Sequence, residues 1–327
     1  MLMLPVTLMM LFLLLISILM ILSSSSMFSM WLALEINTIS FTTIIHMHKT
    51  QESSESCIKY FLPQALGSSI FVFSMLFISL FPNSEIPTLS SLFAMAIKLG
   101  LPPFHHWFPN VASKIPWHKN IMLMTLQKIP PLFIIFHLSA PTYSILPFIF
   151  SSLLLGPIGG LNQTNLKQLL AFSSITHMGW MLSSYLLSNL LCFMYLTMYS
   201  FLISSLILSL KMKINSLNQL MLFSQTSSSK ILFVFLLLSL AGLPPLTGFF
   251  PKWLVITMTQ NPFITMMLII SAILNLFFYL RLLYPFLFLH SPFMFWIPPQ
   301  MNLKTPILLW GSLFLLPVSM PLTLFFY

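Results

Sequence analysis

Long apolar stretches follow one another along this chain, separated by short segments that hold most of its charged residues. A membrane-spanning helix needs about 20 mostly apolar residues, and eleven stretches have about that length or more. They predict helices over 3–22, 26–46, 57–81, 88–113, 119–138, 142–160, 165–187, 190–210, 229–258, 261–287 and 304–326. The first has no basic flank or cleavage site, so we expect a membrane helix rather than a signal peptide. The predicted fold class is all-α, a polytopic membrane protein with about 11 transmembrane helices.

The tetrapeptide Gly-Leu-Pro-Pro occurs twice, at Gly100–Pro103 and Gly242–Pro245, inside the fourth and ninth stretches. Two adjacent prolines remove backbone donors and clash with the preceding turn, so an ordinary helix cannot run through them. In a membrane such a break persists only where protein or water satisfies the freed carbonyl groups. A matched pair of breaks in two halves of one chain is typical of transporters with internal repeats and a site near the membrane midplane.

Composition supports a membrane protein and excludes other classes. The 327 residues are 58% hydrophobic and only 5% charged, whereas a soluble domain has about 25% charged residues. The net charge of +9 does not indicate nucleic-acid binding, because the basic residues are scattered along the chain. The two cysteines fall at the edge and in the interior of apolar segments, so they indicate neither a disulfide framework nor a metal site.

The lysines are segregated with respect to the predicted helices. The odd-numbered loops hold no Lys or Arg. The loops after even-numbered helices contain or are flanked by Lys49, Lys59, Lys114, Lys119, Lys167, Lys211, Lys213, Lys230 and Lys304. Because lysine-rich loops stay on the inner face of a membrane, this pattern predicts an N-terminus on the inside and a C-terminus on the outside.

Five charged residues fall within predicted helices and outside their first and last turns: Glu35, Lys98, Lys128, Lys252 and Arg281. A charge at the bilayer centre costs about 2.5–3.5 kcal/mol on insertion scales, and it persists where it faces the bundle interior, pairs or moves ions. Lys98 ends the half-helix before the first break, where the helix dipole favours a cation and burial disfavours one. A lysine between these two effects can load and release a proton.

Each of these charges also has a structural interpretation. Glu35 and Lys98 can form a static pair that links two helices. Lys252 can snorkel to an interface, and Arg281, near the inner end of its helix, is expected to do so.

Lys128 is followed closely by Pro130 and Pro131. Prolines disturb a helix, so we expect a distortion just after Lys128 that helps to admit water.

Polar stripes at helical spacing accompany these charges. One consists of Ser173, His177 and Ser184, another of Ser271, Asn275 and Tyr279, and His105 and His106 follow the first break. The stripes are expected either to hold a water chain or to form hydrogen bonds between helices. As supporting polar residues we name His105, His177, Ser173 and Asn275. No second ligand cluster accompanies the histidines, so no metal site is expected.

Several sequence runs resemble the family of subunit 2 of mitochondrial NADH:ubiquinone oxidoreductase, respiratory complex I. Together they are highly specific, and the resemblance extends over nearly the whole chain. The runs are Trp31–Asn37, Lys59–Ala65, Lys98–His105, Gly159–Thr164, Ser173–Trp180 and Gly242–Phe249.

The resemblance implies an antiporter-like, proton-translocating subunit of the complex I membrane arm in the mitochondrial inner membrane, with its N-terminus on the matrix side and its C-terminus in the intermembrane space. It implies two inverted five-helix repeats, over 1–140 and 141–290, with broken helices near 100–103 and 242–248, and a C-terminal transmembrane helix within 291–327. The implied partners are other membrane-arm subunits and lipids, with cardiolipin as a candidate, and not nucleic acid. NADH, FMN, iron–sulfur clusters and ubiquinone are expected to bind elsewhere in the complex, so this chain is expected to bind no cofactor and perform no redox chemistry.

The resemblance also implies a proton relay from a Glu35–Lys98 pair through Lys128 to Lys252. Lys98 precedes its break and Lys252 follows its own, so we expect entry and exit duties rather than two copies of one site. Two alternatives stay open. One is a stand-alone cation/proton antiporter, which a single deep Glu and no Asp argue against. The other is a structural scaffold in which the buried charges only hold helices together.

Overall fold

A computed structural model describes residues 3–47, 50–80, 85–138, 140–210, 216, 227–244 and 246–288. This part of the chain is helical and contains no β-strand, only an isolated bridge between Asn165 and Ser216. The helices are α1 (Met3–Ser23), α2 (Met27–His46), α3 (Gln51–Leu80), α4 (Ile86–Leu99), α5 (Trp107–Lys114), α6 (Trp117–Met124), α7 (Ile129–Leu138), α8 (Thr142–Leu161), α9 (Leu166–Tyr185), α10 (Asn189–Ser209), α11 (Ser227–Ala241), α12 (Phe249–Met258) and α13 (Pro262–Phe288).

These helices confirm the predicted fold class. Seven of the described helical segments are long and apolar enough to cross a membrane. The fourth and ninth predicted stretches are each divided, into α4 and α5 and into α11 and α12. The eleventh stretch, 304–326, and the whole predicted C-terminal segment, 291–327, lie outside the described residues. The inversion of the repeats and their bounds stay predictions.

The described residues fall into two compact units, one on each side of the bond between Ser152 and Leu153. In the first, α3 packs against α2, α4 and α5, while α1 contacts α2 and α7. In the second, α10 packs against α9, α11 and α12, while α13 contacts α9 and α11. Large side chains that are fully buried in these units include Phe41, Tyr60, Trp180 and Tyr279.

Both Gly-Leu-Pro-Pro breaks begin with the same backbone motif. Gly100 and Gly242 have positive φ angles of 67° and 84°, a conformation that costs glycine little because it has no Cβ. At the first break the Gly100 N–H donates to Ile97 O at 3.1 Å, and the Leu101 N–H donates to Ala96 O at 2.9 Å.

The second break repeats this pattern. The Gly242 N–H donates to Ser239 O at 3.0 Å, and the Leu243 N–H donates to Leu238 O at 3.2 Å. Both helix ends are therefore Schellman caps, and the matched breaks predicted from the sequence occur in the structure. Pro245 of the second copy lies outside the described residues.

The distortion expected after Lys128 lies before it instead. Helix α6 ends at Met124, a 3₁₀ turn spans Leu126–Lys128, and α7 runs straight through Pro130 and Pro131. Prolines are tolerated in the first turn of a helix, where the N–H groups have no partner within the helix. Their rings clash with the carbonyl four residues earlier, so their effect falls on Leu126 and Gln127.

Several predicted loop lysines make contacts close to the ends of helices. Glu55 forms ion pairs with Lys59, at 2.6 Å, and with Lys114. Lys119 is buried in α6 and donates from Nζ to Ile45 O, in the last turn of α2, at 3.1 Å. A cation at that point stabilises the helix end. The predicted loop residues Lys49, Lys211, Lys213 and Lys304 lie outside the described residues.

Candidate functional sites

The first candidate site surrounds Lys98, in the last turn of α4. Its side chain is 3% exposed, and its Nζ has no hydrogen-bond partner among the described residues. No described carboxylate lies within ion-pair distance of it. Glu35, a partly buried residue of α2, is close enough to interact with Lys98 electrostatically. The structure therefore couples the two predicted partners through their charges, without a direct ion pair.

The neighbouring helix α3 shapes this site in two ways. Gln64 donates from Nε2 to the Lys98 carbonyl at 3.0 Å. Gly67, one turn further along α3, contacts the Lys98 stem so closely that an added Cβ would lie 2.8 Å from Lys98 Cγ. Trp107 donates from Nε1 to Ile97 O at 3.1 Å. Gln64 therefore satisfies the Lys98 carbonyl, which the break leaves free, and Trp107 adds a second donor to the Ile97 carbonyl, which already accepts from the Gly100 N–H. The Lys98 ammonium group takes no part in these bonds.

Lys128, also in the first unit, is 2% exposed. It ends the 3₁₀ turn Leu126–Lys128, and its Nζ lies 5.8 Å from the centroid of the Phe108 ring. An ammonium group at this distance from an aromatic face is stabilised by the ring quadrupole. The lysine thus sits at an interruption of its helix, as Lys98 does, but against an aromatic ring.

A chain of polar side chains lies beside Lys128. Tyr60 of α3 donates from its hydroxyl to Gln127 Oε1 at 2.9 Å. Gln127 donates from Nε2 to Asn37 Oδ1 of α2, also at 2.9 Å. Three elements that are remote in sequence are therefore joined through one amide group.

The candidate site of the second unit surrounds Lys252 on α12. This residue is 4% exposed, and its Nζ donates to Leu240 O at 2.9 Å and to Ala241 O at 2.8 Å. Both acceptors are freed carbonyls at the end of α11. Lys252 thus turns to the second break and caps it, which argues against the alternative that it snorkels to an interface.

Trp180 completes the surroundings of Lys252. The Lys252 Nζ lies 5.9 Å from the centroid of the Trp180 ring, and Trp180 donates from Nε1 to Ser271 Oγ at 3.2 Å. Tyr195 stacks on Trp180 at 6.4 Å between ring centroids and shares a 2.9 Å hydrogen bond with His177 Nδ1. The ammonium group is therefore held by backbone carbonyls and an aromatic face, both of which favour a cation.

A small pocket lies close to this cluster. Its lining includes His177, Tyr195, Tyr199, Ser239 and Leu240. Leu240 is one of the two residues whose carbonyl accepts from Lys252. Its walls are mostly apolar with a few polar groups, and it has room for about one water molecule.

The remaining supporting residues make hydrogen bonds within and between helices. The Ser173 hydroxyl donates to Leu170 O of its own helix at 2.8 Å, and Asn275 donates from Nδ2 to Thr176 Oγ1 at 2.9 Å. His105, after the first break, is buried with its ring 4.3 Å from the ring of His106. Asn275 therefore joins α13 to α9, whereas the Ser173 bond stays within α9.

Arg281 binds the loop that follows α8. Its Nη1 donates to Leu161 O, and its Nη2 donates to Gln163 O at 2.7 Å. No group of three or more His, Cys, Asp or Glu side chains that could hold a metal ion occurs in the described part of the chain.

Comparison with known proteins places this architecture in a family. The family model for the transmembrane region of NADH:quinone oxidoreductase and Mrp antiporters matches residues 24–277. NADH-ubiquinone oxidoreductase chain 2 of Didelphis virginiana is 41% identical over 81% of this chain and 81% of the relative. The corresponding protein of Xenopus laevis is 37% identical over 92% of this chain and 94% of the relative. The chain belongs to the NADH-ubiquinone oxidoreductase chain 2 family.

Solved structures agree with this family at the level of the fold. A chain of respiratory complex I from Thermus thermophilus superposes with a TM-score of 0.78, at 23% identity over 92% of this chain and 77% of that chain. A chain of the Mrp complex from Dietzia sp. gives a TM-score of 0.76, at 16% identity over 84% of this chain and 59% of that chain. The antiporter-like helical fold is thus common to this family member and both assemblies.

Several polar residues of this chain 2 family member have site contacts that the sequence did not single out. Gln64, Trp107 and Gln127 bind carbonyls or amides close to the buried lysines, and Trp180 lies against Lys252. Gln64 and Trp180 fall within runs that carry the family resemblance, which was the available signal. Gln127 had another signal, since it is an uncharged polar residue next to a lysine in an apolar stretch.

Proposed function

We propose that this chain is a proton-translocating, antiporter-like core subunit of the membrane arm of respiratory complex I, in the mitochondrial inner membrane. One observation carries the proposal: Lys98, Lys128 and Lys252 are each at most 4% exposed and lie beside an interruption of a helix. Ionisable residues buried in a membrane protein mark ion and proton pathways. The names of the curated relatives, NADH-ubiquinone oxidoreductase chain 2, supply the complex.

The proposed mechanism is a relay in which protons move along waters between Glu35, Lys98, Lys128 and Lys252. Quinone reduction elsewhere in the complex changes the charge close to Glu35. Because Glu35 and Lys98 interact electrostatically and form no direct ion pair, that change alters the proton affinity of Lys98. Lys128 and Lys252 respond in turn, and Lys252 passes the proton on.

The proposal includes the setting of the chain. Its N-terminus lies on the matrix side and its C-terminus in the intermembrane space, as the lysine segregation favours. Its partners are other membrane-arm subunits and lipids, with cardiolipin among the candidates. The redox groups bind to other subunits, so this chain contributes to NADH:ubiquinone reductase activity through proton transfer alone.

Replacing Lys98 by Met tests the relay, because methionine keeps an apolar stem of similar length without the charge. The variant complex is purified, reconstituted in vesicles and assayed for NADH oxidation and proton uptake per assembled complex. We expect proton uptake to fall at least tenfold. Normal uptake at a normal proton-to-electron ratio would refute the pumping role.

Replacing Lys128 by Ala separates a relay from an isolated Glu35–Lys98 pair. A relay loses pumping although both members of the pair are intact, whereas an isolated pair keeps it. Normal pumping in this variant would therefore remove Lys128 from the path.

A structural role has a specific observation in its favour at Lys252, since its ammonium group caps α11 through two carbonyls. Arginine at this position keeps a charge and several donors but cannot release a proton in proteins. A pumping role predicts that Lys252→Arg assembles and fails to pump. A purely structural role predicts that this variant assembles and pumps normally.

A further inference from the structure

Two interruptions of the first unit, the break after Lys98 and the 3₁₀ turn that ends at Lys128, are both contacted by one face of α3. Tyr60, Gln64 and Gly67 recur at spacings of four and three residues, so they share a helical face. Gln64 and Gly67 contact Lys98, whereas Tyr60 reaches the 3₁₀ turn through Gln127. This face of α3 therefore lies against Lys98 and against Gln127, the neighbour of Lys128.

Gln127 is the member of this arrangement that connects two elements at once. Its Oε1 accepts from the Tyr60 hydroxyl and its Nε2 donates to Asn37 Oδ1, each at 2.9 Å. A side-chain amide carries a donor and an acceptor at one end, so it can bridge a hydroxyl and a carbonyl oxygen. Leucine, of similar size, offers neither group.

The two ends of this bridge stand next to the charges of the proposed relay. Gln127 immediately precedes Lys128 in the 3₁₀ turn, and Asn37 follows Glu35 by two residues in α2. Asn37 is 3% exposed and Tyr60 is fully buried. Buried polar groups of this kind are costly to leave without partners, so the bridge fixes the turn against α2 and α3.

We propose that Gln127 is a positioning residue that holds the turn carrying Lys128 at a fixed distance from the helix carrying Glu35, through its bonds to Tyr60 and Asn37. The proposal rests on the proposed function and deepens it by naming the element that links the acid to the central lysine. A shift of α2 is passed through Asn37 and Gln127 to the backbone of Lys128. Gln127 itself touches no transferred proton.

Tyr60→Phe is the most conservative test, since it removes one oxygen atom. The ring contacts of Tyr60 with Phe41 and Trp107, at 5.0 and 5.8 Å between centroids, are retained. Losing the bond leaves Gln127 Oε1 without its partner, a cost that corresponds to about a fivefold to hundredfold change in an equilibrium. We expect the number of protons pumped per NADH to fall at least fivefold, with the amount of assembled complex unchanged.

Gln127→Leu removes both bonds and is expected to lower the proton-to-electron ratio further than Tyr60→Phe. Tyr143→Phe serves as the matched control, because Tyr143 is exposed and bonds to Glu85, away from this bridge. It is expected to pump normally. If Gln127→Leu fails to assemble, the single-atom deletion at Tyr60 still decides the matter.

The outcomes separate this proposal from the proposed function. Lys128→Met is measured alongside, and normal pumping in that variant overturns the relay and with it the role of Gln127. If Lys128→Met stops pumping while Tyr60→Phe and Gln127→Leu pump normally, only the positioning role fails. It also fails if both variants lose NADH oxidation, pumping and assembled complex in equal proportion, because that result describes packing alone.

Discussion

Gly242→Ala tests whether the capped state of Lys252 matters, and Gly100→Ala is its matched control. Both glycines occupy the left-handed position of a Schellman cap, at φ angles of 84° and 67°. Alanine in that conformation costs about 1–2 kcal/mol at either site. The two sites differ in what the new methyl group meets, so the difference between the variants isolates that contact.

At Gly242 the added Cβ would lie 2.8 Å from Lys252 Cδ and 2.9 Å from its Nζ, so the lysine side chain must shift, and we expect it to lose one of its two bonds. A hydrogen bond from a charged group contributes about 1.5–3 kcal/mol. Losing one of the two bonds therefore brings the total cost to about 2.5–5 kcal/mol. At Gly100 the Cβ would meet Phe108 Cβ at 3.0 Å and the Trp107 ring at 3.3 Å, and no lysine. The cost there comes from backbone strain and packing, without the loss of a lysine hydrogen bond.

The lost hydrogen bond costs Gly242→Ala about 1.5–3 kcal/mol that Gly100→Ala does not lose. This difference makes the population of the capped, charged state of Lys252 about tenfold to hundredfold smaller. Proton uptake by reconstituted complex, normalised to NADH oxidation and to assembled protein, measures the consequence. We expect Gly242→Ala to lose at least ten times more pumping than Gly100→Ala. Equal losses in the two variants would mean that backbone strain alone acts, and that the Lys252 cap has no part in transfer.

Three further predictions concern packing and surface charge. Gly67→Ala places a Cβ 2.8 Å from Lys98 Cγ and is expected to cost about 1–3 kcal/mol by overpacking, seen as less assembled and less active complex. Gly160→Ala, whose nearest contacts would be 3.6 Å, is its neutral control. Arg281→Met removes donors to Leu161 O and Gln163 O. We expect the free energy of unfolding to fall by about 1.5–3 kcal/mol, which lowers the melting temperature, while the proton-to-electron ratio is retained. Glu55→Gln removes exposed ion pairs with Lys59 and Lys114, so pumping and assembly are expected to stay unchanged, and a pumping defect would contradict this.

The helix breaks were predictable because their causes are local. Proline lacks a backbone donor and glycine tolerates a positive φ wherever they occur, so the repeated Gly-Leu-Pro-Pro was sufficient to indicate where α4 and α11 end. The predicted position of the distortion, after Lys128, was wrong because the steric effect of Pro130 and Pro131 falls on the turn before them. The cause is again local, since a proline ring clashes with the carbonyl four residues before it.

The contacts of the buried lysines could not be predicted from the sequence, because they depend on which helices become neighbours. Lys98 and Lys252 both accompany a break, yet Gln64 satisfies the freed carbonyl at the first break, whereas Lys252 itself satisfies the freed carbonyls at the second. Spacing along the chain carries no information on that choice. The polar stripes were ambiguous for the same reason, since a serine such as Ser173 bonds equally well to water or to its own helix.

The source of each cap also bears on how the broken helices enter the membrane during synthesis. Lys252 lies only 12 and 11 residues beyond the carbonyls that it binds, so the second break can satisfy its polar groups as one continuous segment leaves the translocation machinery. At the first break the donor is Gln64, which lies 34 residues earlier in the chain, so this bond forms only when α3 lies beside the end of α4. The two breaks therefore differ in what each needs from the rest of the chain, because the second is satisfied within its own segment and the first depends on another helix.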